Sequence, residues 1–148
     1  MHPAIQETAS TFKESIEAVD EKALDLVSTA SFKFSLSYQG VSMGFMSIDS
    51  SGWCQFSNSG DGDQFEQYVY TDGKTYYMVK GGTWDGYYLS VNRNAYVGVY
   101  GWTYAVGWHF EGSRFVCEYN SKPLSFYKTN ASQLYAWDTY NVLEVAIA

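Results

Sequence analysis

The sequence predicts a mostly β domain of three four-stranded repeats, preceded by one N-terminal amphipathic α-helix. Three observations carry that prediction. The stretch 86–110 reads as two short strands, a tight turn and a further strand, and it recurs on both sides. Moved back by 43 residues, Met46-Ser47-Ile48 falls under Leu89-Ser90-Val91, Gly52-Trp53-Cys54 under Ala95-Tyr96-Val97, and Phe65 under Trp108. Moved forward by 35, Leu124-Ser125-Phe126 matches the same Leu-Ser-Val, and a shift of 38 sets Leu134-Tyr135 on Tyr96-Val97. Aromatics make up 19% of the 148 residues, charged residues only 17%, and there are 13 Gly. That balance suits pleated strands that pack aromatic side chains between tight turns. Ahead of the repeats the apolar period becomes that of a helix.

The helix spans residues 4–28. Ile5, Ala9, Phe12, Ile16, Val19, Ala23 and Leu26 are spaced alternately four and three apart, an unbroken apolar stripe. Pro3 fits a first-turn position, and Thr11 with Glu14 would make a capping box if the ordered helix begins later. The stripe either lies along the chain's own β domain or pairs with another protein or a second copy. Leu24 and Val27 widen it beyond a strict seam. Six acidic residues precede Ser31, so the polar face does not suit an anionic membrane surface. The chain divides into the helix, 1–30, and a β domain, 31–148, with repeats of about 31–73, 74–112 and 113–148.

Within the β domain, short apolar or alternating runs give twelve strands. The first repeat holds about 31–38, 43–48, 52–57 and 64–70, and the second 74–79, 86–91, 95–100 and 107–111. The third holds 113–118, 123–127, 133–138 and 142–147. Asp49-Ser50-Ser51-Gly52, Asp61-Gly62, Lys80-Gly81-Gly82 and Asn92-Arg93-Asn94 mark turns, and Asp72-Gly73 between aromatic-rich runs is the best hairpin signal. Alternation puts Met46, Ile48, Leu89, Val91, Leu124 and Phe126 inside from the second strands. From the third strands it puts Cys54, Phe56, Val97, Val99, Tyr135 and Trp137 inside, and from the fourth Phe65, Trp108, Phe110, Leu143 and Val145. Three such units suit a closed barrel with a hairpin cap, which leaves no long exposed sheet edge.

The unit Tyr-Leu-Ser-Val, then small residue-aromatic-Val, then Trp-x-Phe resembles the β-trefoil superfamily, most of all its fascin-like and fungal-lectin branches. The resemblance covers residues 31–148 and implies a β-trefoil and lectin-like sugar binding. It departs from the ricin-type branch, since no repeat carries Gln-x-Trp. Gln133-Leu134-Tyr135-Ala136-Trp137 is two residues too long. The galactose site of that branch is therefore not carried over.

Composition and motifs exclude much else. A net charge of −7 disfavours a nucleic-acid partner, whose phosphates call for Lys and Arg. Cys54 and Cys117 have no metal-ligand spacing and read as free, buried thiols. His2 and His109 are the only histidines, with His109 alternating against core residues as an exposed strand position. Gly60-Asp61-Gly62-Asp63 is an acidic turn without a third calcium ligand in step. No Asp/Glu pair, nucleophile elbow or phosphate loop is singled out, so neither an enzyme nor a cofactor is expected. No basic start leads into an apolar block, so no secretory signal is read and the expectation is a cytoplasmic or non-classically secreted protein, although a mature, already processed chain would read the same. Asn130-Ala131-Ser132 is a sequon that matters only on secretion.

Aromatics not needed for the core remain. Sugars bind flat rings through their C–H faces and Asp or Asn through their hydroxyls. The candidate carbohydrate-binding set is Asp49, Trp53, Asn58, Trp84, Asp85, Tyr87, Asn92, Tyr96, Trp102 and Asp138. The expected partners are glycans. The alternative is a protein–protein module docking through its N-terminal helix, as a homo-oligomer or as a subunit of a larger or toxin-like assembly. A membrane partner is not expected.

Overall fold

The computed structural model describes Asp25–Leu26 by their backbone, and residues 30–58, 60–128 and 131–148. The fold is mostly β, in three antiparallel sheets. The strands are β1 Asp25–Leu26, β2 Phe34–Tyr38, β3 Val41–Ile48, β4 Cys54–Ser57, β5 Gln64–Val69, β6 Thr75–Lys80 and β7 Tyr88–Val91. They continue as β8 Val97–Tyr100, β9 Trp108–Glu111, β10 Arg114–Cys117, β11 Lys122–Phe126, β12 Leu134–Ala136, β13 Asn141–Val142 and β14 Glu144–Ile147. Each of the twelve expected strands has a counterpart. The helix expected over 4–28 lies outside the described residues except at its end. There it needs correcting, because Asp25 and Leu26 pair antiparallel with Val69 and Tyr68 of β5. The sequon residue Asn130 also lies outside the described residues.

One sheet runs β1-β5-β6-β7-β8, the second β12-β11-β10-β9 with β13 beside β11, and the third β14-β2-β3-β4. Contacts between sheets run in a circuit. Phe32 bridges to Phe65, β6 lies against β9, and β10 lies against β14, where the Val145 N–H donates to the Ser113 carbonyl. A smaller ring joins the third strand of each repeat. Val99 N–H donates to Gly52 O (3.0 Å), Ala136 N–H to Ala95 O (2.8 Å), and Phe56 N–H to Ser132 O (3.0 Å). The bridges Trp53–Gly98, Tyr96–Tyr135 and Gln133–Gln55 follow the same rotation. Offsets of 43 and then 37 residues generate all three bonds from the first.

The core is drawn evenly from the repeats, with Met46, Leu89 and Leu124 from the second strands and Cys54, Val97 and Leu134 from the third. Burying a side chain of this size contributes about 1.5–3 kcal/mol. At the centre Phe34 meets Phe65 at 5.0 Å and Phe115 at 4.9 Å, and Trp108 stacks on Phe115. The Trp108 indole N–H is satisfied by the Leu89 carbonyl at 3.2 Å. Ile48 and Phe110 are half-buried and pack on this core. Both cysteines are free and buried, and burial pushes the Cys117 thiol up to about 12.

The third repeat corrects one expectation. Leu134 and Ala136 are fully buried, whereas Trp137 is 38% exposed and Tyr135 is half-buried on the outer face. The ring of bonds aligns Leu134 with Val97, an offset of 37 where the sequence match suggested 38. A slip of one residue moves every side chain of a strand to the opposite face.

Candidate functional site

Two of the candidate residues build turns. Asp49 Oδ1 accepts from the N–H groups of Ser51 (2.9 Å) and Trp53 (3.0 Å), and Asp49 N–H donates to Trp53 O at 2.9 Å. In the next repeat Asn92 Oδ1 accepts from Asn94 (2.9 Å) and Tyr96 (3.0 Å), and Asn92 N–H donates to Tyr96 O at 3.0 Å. Both turns place a left-handed residue before the returning strand, Gly52 at φ 90 and Ala95 at φ 68. Side chains so engaged shape the backbone, as Asx turns do.

Trp84, Asp85 and Tyr87 brace rather than display. The Trp84 indole N–H donates to Asp49 O at 3.0 Å, its ring lies over Gly52, and Tyr87 meets it edge-on at 5.1 Å. Asp85 Oδ1 accepts from Gly81 N–H at 2.6 Å and closes the β6–β7 turn. Trp102, on the 3-10 turn Trp102–Tyr104, packs on Tyr76 (4.8 Å), Tyr88 (5.2 Å) and Tyr70 (5.9 Å). Burial, with help from Asp72 and Glu118, pushes the Tyr76 phenol up to about 12. Asn58 is exposed at the end of β4. Asp138 bonds Lys122 Nζ at 2.8 Å, which holds its carboxyl below the ordinary value.

Trp53 and Tyr96 do open onto a surface, and it continues into the third repeat. Ring centroids step from Trp53 to Tyr96 (5.7 Å), to Tyr135 (4.8 Å), to Tyr140 (5.1 Å) and to Tyr127 (4.9 Å). Trp137 lies two residues beyond Tyr135, on the same outer face. Among the described residues the exposed large hydrophobics are Val41, Tyr96, Tyr127, Trp137 and Ile147, and of these Tyr96 and Tyr127 belong to the ring series. Tyr127 is 51% exposed. Burial and a hydrogen bond to Tyr96 push the Tyr135 phenol up to about 12. Lysines sit at the rim, Lys128 at 5.1 Å from the Tyr127 ring and Lys122 at 5.4 Å from the Trp137 ring. Asn141 donates to Tyr127 O (3.1 Å) and accepts from the Tyr38 hydroxyl (3.2 Å).

Of the candidate residues the structure gathers Trp53, Tyr96 and, at the rim, Asp138. Tyr127, Tyr135, Trp137 and Tyr140 were missed. The signal for two of them was the alternation Gln133, Tyr135, Trp137 against Leu134 and Ala136. Such a surface offers ring faces, phenol hydroxyls and flanking charges to a neutral polar ligand. Elsewhere, Asp63 Oδ2 accepts from Ile48 N–H at 2.7 Å, which ties the acidic turn to β3. Among the described residues no group of three or more His, Cys, Asp or Glu is placed to hold a metal ion.

No protein-family model matches the chain, and no curated protein or solved structure matches it.

Proposed function

We propose that the chain is a β-trefoil that binds carbohydrate without catalysing a reaction, and that Tyr96, Tyr127, Tyr135, Trp137 and Tyr140 form its site. The trefoil reading is supported by the cyclic bonds among β4, β8 and β12 and by the circuit of β2, β5, β6, β9, β10 and β14 around the core. It makes those six strands a barrel and the three hairpins its cap. The observation that carries the binding reading is the aromatic patch itself. Natural surfaces seldom leave large rings together in water without a ligand to cover them. Phenols and indoles stack on pyranose C–H faces, while their polar tips and the rim residues take hydroxyls.

A glycan array probed with wild type, Tyr127→Ala and Tyr135→Ala tests it. The expected outcome is binding by wild type at micromolar concentration that falls at least about tenfold in both variants, the loss of roughly one stacking contact. Wild type that binds nothing at high micromolar concentration would overturn the reading.

A further inference from the structure

His109 on β9 stands between two carboxylates. Its Nε2 lies 2.6 Å from Glu111 Oε2 and its Nδ1 3.0 Å from Glu118 Oε2. A carboxylate oxygen only accepts, and a neutral imidazole carries a single N–H. One of the two contacts would then set lone pair against lone pair. An imidazolium satisfies both with charge-assisted bonds.

Glu118 opens a short turn with consequences beyond the pair. Its N–H donates to Gly107 O (2.9 Å), and Ser121, at φ 61, donates to Cys117 O (2.8 Å). Asn120 Oδ1 accepts from Lys122 N–H (3.0 Å), and its Nδ2 donates to Ala136 O at 2.9 Å. Lys122 then bonds Asp138 and covers Trp137. Consecutive contacts thus lead from the His109 ring to one rim of the aromatic patch. The second carboxylate oxygen, Glu118 Oε1, is buried with no hydrogen-bond partner among the described residues. The Glu118 carboxylate is therefore held largely through its bond to His109.

We propose that His109 is a proton-operated clasp: as an imidazolium it ties the Glu118–Lys122 turn to β9, and as a neutral ring it lets that turn go. The proposal stands whether or not the patch binds sugar. The hydrogen bond that the ring donates to Glu111 raises the imidazole above its ordinary value, burial opposes this, and Glu118 adds to the rise. A raised native value means that the stabilisation is fully present below the ordinary imidazole pKa and is lost as pH climbs through the native one. The other groups facing the pair are Arg114, across the ladder from Glu111, and Lys74, whose stem lies beside Gly107. Tyr76 and Tyr77 on β6 and the buried Cys117 also face Glu118, each held at about 12 by burial first; Asp72 and then Glu118 add to the rise at Tyr76, and Glu118 adds to it at Tyr77 and Cys117. Those phenols and that thiol keep their protons near neutrality, where histidine changes charge.

The test is an NMR pH titration of the full-length chain. His109→Gln assigns the imidazole signal, since His2 is the only other histidine. The expected midpoint lies above 6.5, the ordinary value, and falls in both Glu111→Gln and Glu118→Gln. Amides of Glu118, Asn120 and Ser121 and the Trp137 indole N–H should titrate with the same midpoint in wild type and lose that response in Glu118→Gln. A wild-type midpoint at or below 6.5, or turn amides indifferent to it, would overturn the clasp. Glu111 is exposed, so its variant keeps the test valid if Glu118→Gln folds poorly.

Discussion

Two tyrosine-rich groups of rings in this protein have opposite roles. Around Trp102, Tyr70, Tyr76 and Tyr88 pack at centroid distances of 4.8 to 5.9 Å, and Tyr76 and Tyr88 are buried. Around Tyr135, Tyr96 and Tyr140 pack at 4.8 and 5.1 Å, yet Tyr96 and Tyr127 remain open to solvent. The difference lies in the connections. In the second repeat the β8–β9 link returns across β6 and β7 and brings its own ring, Trp102, as a cover. Among the described residues, nothing covers in this way the aromatic row leading into the third repeat. Ring content therefore says little about binding, and the path of the loops says much.

The sharpest way to break this comparison is the register of β12. Leu134→Ala should cost about 2–4 kcal/mol and Trp137→Ala within about 0.5 kcal/mol, as for a core and a surface position. Urea denaturation of both variants gives the answer, and reversed values would put the patch inside the protein. Next in size, Trp102→Ala should cost about 2 kcal/mol, below the range for a fully buried Trp because its ring is half-exposed. Tyr127→Ala should leave stability within about 0.5 kcal/mol. Equal losses in the two would erase the distinction between cover and display. Smallest, Asp49→Ala and Asn92→Ala should each cost about 1 kcal/mol through the lost turn bonds, without changing glycan affinity. Asp49→Asn should be nearly neutral, since Asn92 already performs that task one repeat on. Thermal melts beside the array measurement distinguish a turn-builder from a ligand contact.

Much of this was legible in the chain. The 43-residue offset survives because the turns at Asp49 and Asn92 need a side-chain oxygen acceptor at the same place and a left-handed conformation three residues on. The third repeat was harder. Its offset is 35 at Leu124 but 37 at Leu134, so the turn between them is two residues longer than in the second repeat. Matching Leu134-Tyr135 to Tyr96-Val97 satisfied the residue types while reversing the faces, and that reversal hid Tyr135 and Trp137. Ala136 misled as well, because a small side chain in the core looks like a surface residue beside Trp137. Trp84, Tyr87 and Trp102 read as display rings because a Trp above a turn has the same local sequence whether it faces solvent or lies over a neighbouring glycine.

The three bonds that join β4, β8 and β12 also bear on how the chain reaches this shape. Phe56 finds its acceptor at Ser132, so the β3–β4 hairpin, complete in itself, joins its ring only once the third repeat is in place. Topologies dominated by such distant partners have high contact order and fold slowly. Docking of the first hairpin therefore waits on the third repeat, and a chain shortened just before Ser132 should leave the outer edge of β4 without that bond.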